Sequence, residues 1–274
     1  MPAPMIRPKP GIGRGVLDAR DGLKRFTVER FHASADLAPL VDHFWTVSWD
    51  LGEGPPHVQE TLPDPAVHVV FELGRSEVVG VCRGKFRREL KGRGRVFAAK
   101  LHPGAFFPFI RGMHQSGRAV AAYTDRRVPL GEVFRGDLAA VEGRVFGARD
   151  APTMARMIED FLRLQGAHAD ENVALVRELV DRVARDRTIT RVAQLSEKPR
   201  ALQRLFRRYV GVSPKWVIRR SRLQNAAQAL AANAEVDLVG LALELGYADQ
   251  AHFVRDFRDL VGATPGAYAR RNSD

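Results

Sequence analysis

The stretch Asp237–Arg270, DLVGLALELGYADQAHFVRDFRDLVGATPGAYAR, decides how this chain is organised. Its first apolar residues recur at helical spacing, and these are Leu238, Leu241, Ala242 and Leu245. Gly246 then supplies the left-handed backbone that a sharp helix stop needs. The pattern predicts two short helices joined by a tight turn, with a third helix starting at the end of the stretch.

The second of these helices is predicted to have one packing face and one free face. Asp249 is placed as its N-cap, and Gly262 ends it before Thr264-Pro265 starts the next helix. The packing face carries Phe253, Phe257 and Leu260, whereas the free face carries Gln250, Ala251, Val254, Arg255 and Arg258. This layout is typical of a DNA-reading helix-turn-helix. From spacing alone, a plain helical hairpin is the alternative.

The string ALELGYADQAHFVRDFRDLVGATP, residues 242–265, resembles the second helix-turn-helix of the AraC family of transcriptional regulators. Members carry two such units joined by a long helix, and ALQRLFRRYVGVSP, residues 201–214, repeats the pattern upstream. The resemblance implies a regulator that binds double-stranded DNA. It leaves RNA polymerase and a second copy of the chain open as further partners.

By resemblance, each unit contributes one base-facing surface. Arginine can bind guanine as a fork and an amide can pair with adenine, whereas alanine and valine contact only thymine methyls or the sugar backbone. The predicted base-facing residues are Arg200, Gln203 and Arg204 in the first unit and Gln250, Ala251, Val254 and Arg255 in the second. Arg207, Arg208 and Arg219 complete the predicted DNA-binding set, and for Arg207 and Arg208 phosphate neutralisation is the favoured role.

The predicted DNA-binding domain covers residues 171–274. Val173, Val176, Leu179, Val180 and Val183 mark its first helix, and residues 188–197 are predicted to hold its second. The first recognition helix is predicted from Pro199 to about Tyr209, and the connecting helix from Pro214 to around Asn233. A rigid connector of this kind would hold the two recognition helices about 34 Å apart, the rise of one DNA turn.

The first unit departs from the family pattern. Leu195-Ser-Glu-Lys-Pro199 runs straight into the recognition helix, so a turn of roughly four residues is missing and no glycine marks it. The side chain of Lys198 cannot accept hydrogen bonds from the free N–H groups at the helix start, as the hydroxyl of a serine would. The sequence therefore predicts a shortened second helix or a distorted unit, less stable and less important in sequence reading than the second unit.

Composition favours a polyanionic partner. The chain has 274 residues and a formal net charge of +11. Between Lys198 and Arg222 there are nine basic residues and no acidic one. Cys82 is the only cysteine, which excludes an intrachain disulfide and a multi-cysteine zinc site and fits a reduced cytoplasmic setting. No apolar stretch suggests a signal peptide or a membrane span.

The N-terminal part is predicted to be β-rich. Residues 1–22 have the proline and glycine content of a flexible tail. Residues 23–165 form the predicted domain, with a short helix at Leu37–Val41 and then short apolar runs typical of a small barrel or sandwich. The runs are 44–51, 58–62, 67–73, 78–82 and 96–101. The segments 101–109 and 125–134 resemble the cupin-like sensor region of some AraC-type regulators, which implies a small-molecule effector.

Four features of this region have alternative interpretations. His57, Glu60, His68, His102 and His114 are metal ligands or ordinary barrel side chains, and the absence of metal-motif spacing favours the second. Four aromatic residues line a ligand cavity or form core, and these are Trp45, Trp49, Phe71 and Phe97. The basic run 83–95 is a predicted hairpin that binds an acidic effector or DNA, or is a solvated loop. The stripe of Met154, Met157, Ile158, Phe161 and Leu162 on a helix opened by Pro152 pairs with a second copy or lies on the barrel.

The sequence thus predicts an α+β chain with a β-rich barrel-like sensor, a linker at 165–170 and an all-helical domain with two helix-turn-helix units. The predicted function is sequence-specific DNA binding in transcription regulation, with no catalytic residue, metal or cofactor. Some DNA-repair alkyltransferases join a similar domain to a zinc-activated cysteine, but Cys82 has no partner cysteine. The stronger alternative is a ligand- or partner-binding protein whose degenerate first unit no longer reads specific sequence.

Overall fold

A computed structural model describes residues 22, 24–111, 119–232 and 236–272. The predicted tail 1–22 lies outside these residues except for Gly22, and His114 and Asn233 also lie outside them. The strands are β1 Phe26–Phe31, β2 Val41–Asp50, β3 His57–Thr61, β4 His68–Phe71, β5 Glu77–Val79, β6 Phe86–Leu90, β7 Arg93–Leu101 and β8 Arg127–Pro129. The α-helices are α1 Phe107–Ile110, α2 Leu138–Phe146, α3 Ala151–Leu164, α4 Glu171–Arg185, α5 Pro199–Tyr209, α6 Pro214–Ala232, α7 Leu238–Glu244, α8 Gln250–Val261 and α9 Pro265–Asn272. Strands followed by helices confirm the predicted α+β class.

The N-terminal strands form two antiparallel sheets. Six strands pair in the order β1-β2-β7-β4-β5-β8, while β3 and β6 form a separate two-stranded sheet. Phe86 and Leu90 of β6 pack on the large sheet, Phe86 on the cluster formed by Val70, Val79 and Ala98, and Leu90 in a cluster with Phe26 and Trp49. The small sheet therefore covers one face of the large sheet.

Two local predictions for this region are wrong. Residues 35–40 form successive turns rather than a helix, and Val41 already belongs to β2. The basic run 83–95 does not pair with itself, because β6 pairs with β3 while β7 pairs with β2 and β4. The chain passes from one sheet to the other at Lys91–Gly92, where Gly92 has a φ of 57°.

Helix α3 lies on the large sheet. Asp150 caps its start by accepting from Thr153 N at 2.8 Å. The ring of Phe161 packs edge-on against Phe71 with centroids 5.6 Å apart. Glu159, which is 1% exposed, accepts the backbone N–H of Ser34 at 2.7 Å and so fastens the helix beside β1. Of the two interpretations of the apolar stripe, packing on the sheet is the one observed.

The buried apolar residues form two large clusters. The first runs without a break from the large sheet through α1–α5 into the start of α6, ending at Ile218. The second contains the rest of α6 with α7, α8 and α9, and among the described residues its one buried member from the N-terminal region is Leu62, in the loop after β3. The first helix-turn-helix unit thus shares a core with the sheet, while the second unit has a core of its own.

Candidate nucleic-acid interface

The second helix-turn-helix consists of α7, a tight turn and α8. Asp237 caps α7 by accepting from Val239 N at 2.9 Å and from Gly240 N at 3.0 Å. The turn depends on Gly246, whose φ is +74° and whose added Cβ would lie 2.6 Å from Thr190 Cγ2. A side chain at this position would therefore be strained by the backbone conformation and would require Thr190 to move. Asp249 then caps α8 by accepting from His252 N at 2.7 Å.

Helix α8 has the two faces that the sequence predicted. Phe253 and Phe257 are fully buried and Leu260 is 7% exposed. Gln250, Ala251, Arg255 and Arg258 are exposed, and half-buried Val254 packs beside the second core. Gly262 ends the helix with a φ of +79°, and Thr264 caps α9. The exposed residues at the start of α8 thus lie together on one side of a rigidly packed helix.

In the first unit, α5 has the predicted boundaries and orientation. Leu202, Phe206 and Tyr209 are buried. The exposed side carries Arg200, Gln203, Arg204, Arg207 and Arg208. The structure therefore presents a second row of guanidinium and amide groups.

The helix predicted at 188–197 is wrong, because only Val192–Gln194 forms a 3-10 turn. Side chains hold this segment in turns, and Gln194 Nε2 donates at 3.0 Å to the carbonyl of Thr188, which in a helix would accept from the N–H of Val192. Asp186 accepts from the backbone and hydroxyl of Thr188, and Gln194 accepts from the amides of Thr190 and Arg191. The first unit therefore has a shortened helix before its recognition helix.

The start of α5 has no side-chain cap. Lys198 occupies the N-cap position, with Pro199 following it. We expect Lys198→Ser to raise the free energy of unfolding by about 1 kcal/mol, because a hydroxyl can accept from the first helical N–H groups. Chemical denaturation of both Lys198→Ser and the control Lys198→Ala checks this. Equal stability of the two variants would contradict it.

Three arginines of the basic stretch 198–222 are held by the protein itself. Arg208 lies over the ring of Phe107, 4.8 Å from its centroid. Arg219 makes two contacts of 2.9 Å with Asp256. Arg220, whose side chain is 11% exposed, donates to the carbonyl of Pro63 at 2.7 Å and lies 3.5 Å from the Asp64 carboxylate. These partners could not be predicted from the basic stretch itself, because they lie far away along the chain.

The N-terminal region contacts both units. At the first unit, the ring of Phe107 lies 4.4 Å from that of Tyr209, and Thr124 Oγ1 donates to the carbonyl of Gly211 at 2.8 Å. At the second unit, Leu62 enters the core and Arg220 reaches Pro63 and Asp64. The contacts to α5 involve its C-terminal end and leave the predicted base-facing residues at its start exposed.

Asp64 joins Arg220 to the large sheet. It also forms an ion pair with Lys100 of β7. Burial would raise the pKa of Asp64, but the two cations hold it well below its usual range. The carboxylate is therefore charged at neutral pH and links a strand to the connecting helix α6.

The described histidines are not grouped with other possible metal ligands. Among the described residues, no three His, Cys, Asp or Glu side chains are placed to hold a metal ion. The indole of Trp45 donates to His68 Nδ1 at 3.1 Å. Burial is the main cause that lowers the pKa of His68 to about 3, and the positive charge of Lys100 adds to it. Burial likewise lowers the pKa of His102 to about 4. Both rings are thus neutral at pH 7.

Phe71 and Phe97 are fully buried in the core.

Most of the basic run 83–95 is engaged in ion pairs. Arg83 pairs with Asp125, Lys85 with Glu60, Arg88 with Glu72 and Arg93 with Asp50. These contacts bind the run to neighbouring strands and loops. With four of its seven basic side chains in ion pairs within the N-terminal region, the run has few charges available for a DNA contact.

Comparison with known families assigns the two parts of the chain. Residues 189–271 match a family model described as a helix-turn-helix domain. The C-terminal segment is an AraC-type helix-turn-helix domain. Residues 29–129 match a family model described as a domain of unknown function, DUF6597.

Two relatives share sequence with part of the chain. An uncharacterised HTH-type transcriptional regulator of Haemophilus influenzae is 31% identical over 100 residues, which is 36% of this chain and 33% of that protein. The RCS-specific HTH-type transcriptional activator RclR of Escherichia coli is 30% identical over 99 residues, 36% of this chain and 34% of that protein. The chain thus spans about a third of the length of these relatives.

Solved structures give weaker matches. A probable AraC family regulator from Rhodopseudomonas palustris is 25% identical, with 37% of this chain and 99% of that chain covered and a TM-score of 0.33. ToxT from Vibrio cholerae is 11% identical, with 91% and 100% covered and a TM-score of 0.36. TM-scores below 0.5 do not establish a shared arrangement.

In the part of the chain that the structure describes, no helix is long and apolar enough to cross a membrane.

Proposed function

We propose that the chain is a sequence-specific DNA-binding transcription regulator whose AraC-type domain inserts α8, and to a lesser degree α5, into the major groove. The observation that carries the proposal is the exposed start of α8. Gln250, Ala251 and Arg255 lie beside one another on a helix fixed by the Asp249 cap and the Phe253–Phe257 core. Side chains at the start of a recognition helix are the ones that reach base edges.

The proposed base contacts are the exposed Arg200, Gln203 and Arg204 of α5 and the exposed Gln250, Ala251 and Arg255 of α8, with half-buried Val254 at the edge of this surface. Arg207 is the proposed phosphate contact. Arg208 and Arg219 are left out of the contacting set because Phe107 and Asp256 already engage their guanidinium groups. The proposal involves no catalytic step.

The N-terminal region is proposed to be the effector-sensing part. Its support is that the region contacts both units, through Phe107 at α5, Thr124 at the turn after α5, Leu62 in the second core and Asp64 at α6. A ligand that shifts the sheet relative to these contacts would change how the two recognition helices are held. Identifying the genes whose DNA the protein binds would suggest which effectors to test.

The test is selection of genomic DNA fragments by the full-length protein at near-physiological salt. We expect enrichment of a common sequence with at least about a thousandfold preference over unrelated duplex. Paired copies of the enriched sequence would show that two chains bind together. Transcription from an enriched promoter with purified RNA polymerase would test that enzyme as a partner.

The alternative is a ligand- or partner-binding protein with little sequence-specific DNA reading. The reduction of residues 188–197 to a 3-10 turn is the observation that favours it. Selection would then enrich no sequence, and any DNA affinity would be equal on all duplexes and would fall steeply with salt.

Charge removal at two arginines of similar sequence context gives a second test. We expect Arg207→Ala to reduce the slope of log affinity against log salt by about 1, since the exposed Arg207 releases one counterion on binding a phosphate. Arg220→Ala is the control and should leave the slope unchanged, because Pro63 and Asp64 hold Arg220. Affinities for the selected site at four or more salt concentrations check both. Equal slopes for the wild type and Arg207→Ala would remove Arg207 from the interface.

A further inference from the structure

Asp256 on α8 lies next to the proposed base contact Arg255 and is the centre of a polar cluster. Its carboxylate accepts from Arg219 Nε at 2.9 Å through one oxygen, and Arg219 Nη2 lies 2.9 Å from the other. The Tyr247 hydroxyl donates to the same carboxylate at 3.2 Å. The Asp256 side chain is only 17% exposed. The planar fork of Arg219 therefore fixes the direction as well as the distance of Asp256.

A second arginine of α6 supports the same cluster. The guanidinium of Arg222 lies 3.9 Å from the centroid of the Tyr247 ring, and Tyr247 is 4% exposed. Burial lowers the pKa of Arg222 and raises that of Tyr247. Arg222 follows Arg219 by three residues, so the two side chains lie on neighbouring positions of one helix face. Helix α6 thus contacts both the turn before α8 and the middle of α8.

We propose that Arg219 is a positioning residue that sets the orientation of α8 through Asp256, and so aims Arg255 at its base, and that it does not contact DNA. Successive helical residues point about 100° apart, so a fixed Asp256 fixes the direction of Arg255. The sequence predicted Arg219 as a DNA contact, and the partner that changes its role lies 37 residues away. The inference rests on the proposed DNA-binding function.

The discriminating variant is Arg219→Lys, which keeps the positive charge and loses the two-pronged contact. We expect the ratio of specific to non-specific affinity to fall about tenfold, as for loss of a charge-assisted hydrogen bond, with no change in the salt slope. A phosphate contact would behave differently, because lysine neutralises a phosphate nearly as well as arginine does. Arg219→Ala would then lower affinity on every sequence and reduce the slope by about 1.

Two further measurements separate positioning from general stability. In the Arg219→Lys protein, Arg255→Ala should cost less specific affinity than it does in the wild type, because Arg255 is already displaced. The matched control is Arg187→Ala, which breaks a pair of 3.4 Å between Arg187 and Glu244, both more than half exposed. This control should change neither the affinity ratio nor the salt slope beyond about twofold. Thermal unfolding of each full-length variant shows whether it is folded at the assay temperature.

Each outcome decides between the proposals. A wild-type protein that selects no DNA sequence overturns the proposed function. If the wild type selects a sequence, the positioning role alone is overturned by either of two results. One is an unchanged affinity ratio in Arg219→Lys, and the other is that the affinity losses of Arg219→Lys and Arg255→Ala add fully in the double variant. A tenfold lower ratio with non-additive Arg255→Ala supports it.

Discussion

Phe253→Ala is expected to lower the free energy of unfolding of the second helix-turn-helix unit by about 3–5 kcal/mol and to abolish sequence-specific DNA binding. Phe253 is fully buried on α8. Its ring lies 5.5 Å from that of Tyr247 and 5.7 Å from that of Phe257. Truncation removes the contact between the turn and the recognition helix and leaves a cavity that backbone movement fills only in part.

Chemical denaturation of the full-length protein measures this effect. The matched control is Leu243→Ala on α7, which also truncates a large apolar side chain to alanine, but at a position that is 61% exposed. The control is expected to change stability by no more than about 0.5 kcal/mol, because little apolar surface leaves water there. Similar losses for the two variants would show that Phe253 is not part of a tightly packed core.

The division of the core into two clusters gives this prediction a spatial component. Phe253 belongs to the cluster around α6–α9, whereas α4 and α5 belong to the cluster that continues into the sheet. Amide hydrogen exchange of Phe253→Ala should therefore show lost protection in α8 and retained protection in α4. Loss of protection in both helices at once would mean that the two clusters unfold as one unit.

The second unit could be predicted from sequence almost completely because its signals are local. Asp249 caps the helix that follows it, and Gly246 and Gly262 adopt the left-handed backbone at the predicted stops. Each signal acts within one helical turn of its residue. The long motif then supplied the spatial relation between the helices.

The predictions for residues 188–197 and 83–95 are wrong because side-chain hydrogen bonds or distant strands override the local preference for a helix or a hairpin. At residues 188–197, Gln194 Nε2 takes the carbonyl of Thr188, which a helix would have used, and Asp186 holds Thr188 in a turn. The segment 83–95 has the composition of a hairpin, yet β6 pairs with β3, a strand nearly 30 residues earlier. Periodicity carries no information on such long-range pairing.

The roles of the α6 arginines could not be predicted for the same reason. Arg219 and Arg220 are adjacent in a basic run, but their partners lie 37 and 157 residues away in sequence. One arginine orients towards the second unit and the other towards the loop after β3. Charge density along the chain therefore overestimates the number of arginines available to DNA, and only exposed ones such as Arg207 and Arg255 remain for that role.

Arg255→Ala is the most direct test of base reading. We expect it to weaken binding to the selected site by about 1–3 kcal/mol and to relax the base preference at one position of that site, as loss of a two-pronged contact to guanine would. Arg255 is exposed on α8 and lies one residue before the anchored Asp256. Binding to a panel of sites with each base changed in turn measures both effects.

The matched comparison is Arg204→Ala, which removes the same group from the exposed side of α5. Its effect should be smaller, because α5 starts without a side-chain cap and follows a 3-10 turn in place of a full helix, so its guanidinium is held less firmly against a base. Equal effects at the two positions would mean that the short turn supports a fully functional recognition helix. A loss for Arg255→Ala that is uniform over the whole panel would instead assign Arg255 to a phosphate, and sequence reading by α8 would then depend on Gln250 and its neighbours.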